Sequence, residues 1–281
     1  MAGRLYVVAT PIGNMADLSP RAADILRSAQ VIAAEDTRVT GRLLERIESG
    51  KRKSTMLSYR EENERKLAPV LLARLLEGEN VALVSDAGTP GVSDPGYRLV
   101  CAAAEAGVEV VAIPGPSAAI ALLSISGLPT DRFSYEGFLP ARAAARRHAL
   151  ERLRGAGRTV LFFESPRRVV ALLQDIAEVL ADPAVAVGRE LTKLYEQVVR
   201  GSASEVAAHF TEHEPRGEFS VAAYIEAEVA ELEGDELETR VAELIAEGRS
   251  AREIAAELKP AGARRQEIYA AVERLRSEKP A

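Results

Sequence analysis

Three short runs of glycine, proline and small polar residues carry the chemical signal of this chain. They are TPIGN at residues 10–14, SDAGTPGVSDPG at residues 85–96 and PGPSA at residues 114–118. Each follows a stretch that reads as a β-strand. In open α/β sheets, ligands bind outside the carboxyl ends of the strands. Small residues there let the backbone approach a ligand closely. Asp86 and Asp94 offer acceptors for ribose hydroxyls or an ammonium. Ser117 opens a helix, where free N–H groups meet polar ligand atoms. A cleft of this kind suits a sulfonium nucleoside, which needs a flat slot and polar anchors but no anion hole.

Other chemistries find little support. No G-x-G-x-x-G follows the first strand, and no G-x-x-x-x-G-K-[ST] occurs, so neither a dinucleotide nor a P-loop site is expected. His209 and His213 have the helical spacing of a zinc pair but lack a third ligand in a recognisable motif. The remaining histidine, His148, does not complete a triad. The lone cysteine, Cys101, lies in an apolar helical run and reads as core. No metal site is expected.

The elements that must hold these corners follow from hydrophobic periodicity. Residues 4–9, 31–34, 80–85 and 109–113 read as strands, and residues 20–29, 40–48, 61–78 and 96–106 as helices. Their alternation predicts right-handed crossovers and a parallel sheet. Residues 49–55 read as a basic loop. Residues 115–128 read as a helix leading into a second lobe. That lobe has strands at 159–163, 184–189 and 219–225, helices at 166–181 and near 202–210, and a hairpin or tight loop at 214–218. Residues 226–238 are acidic and read as a linker, and residues 235–278 as two or three helices. The expected domains are 1–115 (α/β), 116–228 (α/β) and 235–281 (helical). The fold class is thus α/β, two lobes plus a helical extension.

Over 281 residues the hydrophobic fraction is 47% and the charged fraction 28%, which excludes a disordered chain. No apolar run is long enough to span a bilayer. The first residues read as a strand, not a signal peptide, so a cytoplasmic location is expected. The net charge is −6, yet residues 138–170 carry an excess of six positive charges. Arg142, Arg146 and Arg147 in that segment, with Lys51 and Arg52 in the basic loop, are either a solvated helix face and loop or candidate RNA contacts.

These motifs, with EDTR (35–38), GFLP (137–140), FFESPRR (162–168), GRELTKLYE (188–196) and GEFSV (217–221), together resemble the ribosomal RNA small subunit methyltransferase I family. That family is the 2′-O-ribose branch of the tetrapyrrole, or precorrin-type, methylases. The stretch near 236–276 also resembles the small helix-turn-helix-like extension of this branch. The resemblance covers nearly all of residues 4–225 and implies a cofactor cleft of the tetrapyrrole methylase type between the two lobes. It implies S-adenosylmethionine bound between two α/β lobes, usually in a homodimer, and methyl transfer to a cytidine 2′-hydroxyl in small-subunit ribosomal RNA. By motif position it implies cofactor contacts at Pro11, Ile12, Asp86, Ala87, Gly88, Thr89, Ser117, Ala118 and Phe163. Arg60 and Arg167 stand where the family commonly has histidine, which argues against those positions as proton acceptors. For that reaction a ribose hydroxyl needs its proton removed or its developing charge stabilised. The candidates are Glu35, Asp36, Arg38, Glu164, Arg189 and Lys193. Alternative readings are a methylase of tetrapyrroles or other small molecules on the same fold, or a non-enzymatic nucleic-acid binder.

Overall fold

The structure is a computed structural model and describes residues 1–47, 54–227, 234–259 and 262–277. The first sheet contains β1 (Leu5–Val8), β2 (Val31–Ala34), β3 (Thr55–Ser58), β4 (Val81–Val84) and β5 (Val110–Ile113), in the order β3-β2-β4-β1-β5. All its pairings are parallel. The helices are α1 (Pro20–Ser28), α2 (Thr37–Arg46), α3 (Glu64–Leu76), α4 (Tyr97–Glu105) and α5 (Ala118–Ser126). Ser19 caps α1 with Pro20 at the first helical position, and Asp36 caps α2 through the Arg38 N–H.

The sheet is buried on both faces because its strands alternate between two cores. Val81 and Leu83 pack with Leu71, Leu75 and Leu99 of α3 and α4. Ala82 and Val84 pack with Ala22, Leu26 and Leu44 of α1 and α2. This accounts for the continuous apolar run of β4. Each fully buried leucine contributes about 1.5–3 kcal/mol.

The second sheet contains β6 (Phe133–Phe138), β7 (Ala156–Glu164), β8 (Ala184–Arg189), β9 (Gln197–Ser202) and β10 (Phe219–Ala227), in the order β6-β7-β10-β8-β9. β6 and β7 are parallel, whereas β8 runs antiparallel to β9 and β10. Helices α6 (Ala143–Glu151), α7 (Val169–Val179) and α8 (Ala203–Glu212) accompany it, and a capping box of Ser202 and Glu205 starts α8.

Three strands were not expected. β3 begins at Thr55, within the anticipated basic loop, whose residues 49–53 lie outside the described residues. β6 is interrupted by a register shift between Tyr135 and Gly137, which breaks its alternation. β9 is polar at both ends and at the sheet edge. Of the two readings of residues 214–218, hairpin or tight loop, the loop holds; it joins α8 to β10. Of the acidic stretch, 226–227 end β10 and α9 begins at 234; the residues between lie outside the described ones.

The chain divides into two compact units. Both sheets' site-bearing segments fall in the first, residues 1–152 with 158–224. The second, residues 153–157 with 225–281, contains α9 (Gly234–Ala246), α10 (Ala251–Leu258) and α11 (Arg265–Ser277). These three helices enclose their own core of Leu237, Val241, Leu244, Ile254, Leu258 and Ile268. No helix among the described residues is long and apolar enough to cross a membrane.

Candidate functional site

The three glycine- and proline-rich corners follow β1, β4 and β5, which are neighbours in the first sheet. Backbone pairing pins them to one another. Thr10 N–H donates to the Gly88 carbonyl at 2.8 Å, and Gly88 N–H returns a bond to Thr10 at 3.1 Å. Thr89 Oγ1 donates to the Pro116 carbonyl at 3.1 Å. Gly88 has φ +84°, and a Cβ there would lie 3.4 Å from Ile12 Cγ2. The left-handed backbone selects glycine, while the Ile12 wall would meet a Cβ at ordinary contact distance.

A cavity of about 390 Å³ opens beside these corners. Ile12, Ala87, Gly88, Thr89, Ser117 and Ala118 line it from the first sheet, and Phe163 from the second. Seven of the nine residues that the resemblance offered for a cofactor therefore meet in one place. The volume lies within the range of small-ligand sites, about 300–1,000 Å³. Ile12, Phe163 and Leu191 give it apolar walls, and Phe163 packs edge-on against Tyr135 and Phe138 at 5.1 and 5.8 Å. Apolar walls beside close-lying backbone polar groups fit a nucleoside with an aromatic base. Pro11 and Asp86 do not line this cavity. They border a separate one of about 300 Å³.

Glu35, Asp36, Arg38 and Asp86 line a more polar cavity of about 610 Å³. Their polar groups are largely engaged. Asp86 N–H donates to Glu35 Oε2 at 3.1 Å, and Asp36 N–H to Asp86 Oδ1 at 2.9 Å. Burial pushes the Glu35 and Asp86 carboxyls up, against the pull of these hydrogen bonds. Asp36 is held well below the ordinary carboxylate range by the Arg38 side chain and N–H.

Ser93 and Asp94 line both cavities. Ser93 has φ +61°, a left-handed conformation that costs a non-glycine residue about 1–3 kcal/mol. Its hydroxyl lies 2.6 Å from the Tyr135 hydroxyl of β6. Burial, together with the charges of Glu35 and Asp86, raises Asp94 to about 6 despite a hydrogen bond from Ser85. In the sequence Asp94 is visible only as an acceptor, and nothing there pairs Ser93 with a tyrosine 42 residues away.

Of the second-lobe candidates, Glu164 borders the 390 Å³ cavity, yet its side chain is fully buried. Ser165 N–H donates to its Oε1 at 2.7 Å. Arg168 brings an Nη to 2.9 Å from Oε2, an ion pair by distance without hydrogen-bond geometry. Lys193 Nζ contacts Glu190 and Glu218, each at 2.8 Å. Burial lowers Lys193, but these two carboxylates outweigh it and hold the group up. Arg189 donates to the Arg216 carbonyl at 2.8 Å. Neither Lys193 nor Arg189 lines the cavity, but Lys193's partner Glu218 does, and Arg189's partner Arg216 immediately precedes the lining residue Gly217.

The expected arginine surface needs correction. Arg146 is only 5% exposed and forms an ion pair with Asp175, itself 4% exposed, at 2.6 Å. Arg147 is tied to Asp175 and Glu178, both at 2.7 Å. The charge excess of residues 138–170 omitted these carboxylates on α7. Arg142 is exposed. Lys51 and Arg52 lie outside the described residues.

Comparisons place this architecture. The family model described as Tetrapyrrole (Corrin/Porphyrin) Methylases matches residues 4–207. A Synechocystis protein named ribosomal RNA small subunit methyltransferase I is 48% identical over 77% of this chain and 77% of its own length. Its Escherichia coli O157:H7 namesake is 46% identical over 82% of this chain and 80% of that protein. The namesake from Thermotoga maritima is 44% identical over 78% of this chain and 97% of that protein. Among solved structures, the methyltransferase CobJ aligns with a TM-score of 0.59 at 18% identity, covering 83% of this chain and 98% of its own. A Thermus thermophilus uroporphyrin-III C-methyltransferase, complexed with S-adenyl homocysteine, aligns with a TM-score of 0.53 at 21% identity, covering 79% and 98%. At such identities the structural likeness speaks to the fold alone. The fold, the matched segment and these relatives agree: the chain belongs to the ribosomal RNA small subunit methyltransferase I family of the tetrapyrrole methylases.

Proposed function

We propose that the protein methylates the 2′-hydroxyl of a cytidine ribose in small-subunit ribosomal RNA, using S-adenosylmethionine. The observation that carries this reading is the convergence of Ile12, Ala87, Gly88, Thr89, Ser117, Ala118 and Phe163 on one cavity lined from both sheets. When bound, the cofactor supplies an electrophilic methyl carbon on a positively charged sulfur. The chain's part is chiefly positioning, because an in-line displacement gains most from fixed geometry. Gly88 and the 114–118 corner bring backbone close to the ligand, while Ile12, Phe163 and Leu191 exclude water from its apolar parts. The 610 Å³ cavity beside it is polar enough to receive a nucleotide. Glu35, Asp36 and Arg38 then act on that nucleotide's surroundings, and Lys193 with Arg189 fixes the 216–218 rim.

Within this reading, the domains 1–115 and 116–228 share the cofactor and 235–281 is an accessory helical domain. Arg142 and the basic segment with Lys51 and Arg52 meet the RNA backbone. The protein works in the cytoplasm as a homodimer. The test uses small subunits from cells lacking the protein and cofactor with a tritiated methyl group. Label is expected on a cytidine 2′-oxygen. Label on a base or a protein, or none at all, overturns the reading.

A further inference from the structure

We propose that Asp94 takes the proton from the acceptor hydroxyl, at the place where the cofactor cavity and the polar cavity meet. This rests on the methyl-transfer reading above and goes beyond it by naming the base. Ser93 and Asp94 are the residues common to the two linings. A group that must touch both an incoming nucleotide and the reacting methyl has to stand there.

The other carboxylates are placed or engaged differently. Glu35 and Asp86 line the polar cavity but not the cofactor cavity, and each accepts a backbone N–H bond. Glu164 is sealed against Ser165 and Arg168. Glu218 is committed to Lys193 at 2.8 Å. Asp94 is half-buried, the neighbouring Ser85 side chain favours its charged form, and no ion pair holds it among the described residues. The groups facing it are Glu35 and Asp86 from the first sheet and Tyr135 from β6. Arg38, Arg60 and Tyr97 border the same polar cavity, as do the carboxylates of Asp36, Glu61, Glu62 and Glu64. Burial and the two like charges bring the Asp94 carboxyl to about 6. It is therefore ionised at neutral pH yet more basic than an ordinary aspartate, the range in which a general base is effective. Its backbone is fixed by Ser93, held left-handed by the Tyr135 hydroxyl.

The step balances. The ribose oxygen forms its bond to the methyl carbon as the carbon–sulfur bond breaks, and that electron pair stays on sulfur. The hydroxyl proton passes to an Asp94 oxygen and then to solvent through the polar cavity. The products are a methyl ether, a neutral thioether and one released proton.

The test compares the full-length wild type with Asp94→Asn and Asp94→Glu. In single-turnover methylation of unmodified small subunits, the wild-type rate is expected to rise through about pH 6 and level off above it. Asp94→Asn should lose about 100-fold or more at pH 7.5 and lose that inflection, while calorimetric affinity for S-adenosyl homocysteine stays within about threefold. Asp94→Glu should keep the inflection with a smaller loss. Without cofactor, urea unfolding supplies a second readout. A carboxyl raised by folding stabilises most at low pH, so the wild type should lose stability relative to Asp94→Asn as pH rises through about 6. An Asp94→Asn rate within threefold of wild type, an unchanged inflection, or loss of cofactor affinity in that variant overturns the assignment. If the wild type itself neither binds cofactor nor labels ribose, it is the underlying reading that fails.

Discussion

Gly13 shows how finely the site is fitted at the level of single residues. A Cβ there would come within 2.3 Å of Lys193 Cγ and 3.3 Å of the Leu191 carbonyl. Gly13→Ala should push the 190–193 segment away from the first corner. We expect a loss of about 1–3 kcal/mol in urea unfolding and at least tenfold weaker cofactor binding by calorimetry. Asp36 gives a pH-dependent counterpart. Its carboxylate caps α2 and is held low by Arg38, so its contribution is present above about pH 4 and fades as pH falls through the lowered value. The melting temperatures of wild type and Asp36→Ala should differ at pH 7 and converge on acidification. A gap of undiminished size at pH 2.5 would contradict this. The corners were legible in sequence because glycine and proline betray backbone demands locally. The placement of Asp94 was not, since the hydroxyl that steadies its neighbour, on Tyr135, and the cavity it borders come from segments distant in sequence.

At the scale of elements, legibility followed burial. β4 announced itself because both its faces are apolar. β6 did not, because Gly137 takes φ +65° where the register shifts. That glycine lies against Ser93, with a virtual Cβ 3.1 Å from its hydroxyl oxygen. Gly137→Ala should cost about 1–2 kcal/mol through its backbone alone and disturb the Ser93–Tyr135 contact, read as a lower single-turnover rate with fold retained. The α6–α7 pair makes the opposite point. Its arginines are readable as a basic run, but their partners lie 28–31 residues away on α7. Asp175→Asn leaves Arg146 charged and uncompensated in the interior, and a loss of about 3–5 kcal/mol is expected by denaturant titration.

For the molecule as a whole, a net charge of −6 makes nucleic-acid binding depend on a few exposed cations. Arg142→Ala should reduce the slope of log affinity against log salt by about one for small-subunit RNA, with little change in folding. An unchanged slope would remove Arg142 from the interface. Arg146→Ala should instead lower the yield of folded protein. That contrast has a historical side. A buried guanidinium and its carboxylate, on separate helices, constrain one another's codons. Either change alone exposes the lineage to an unstable intermediate, so descendants should keep both or replace both within a short span of generations. Positions 146 and 175 should therefore drift together across relatives, even though neither touches the cavity.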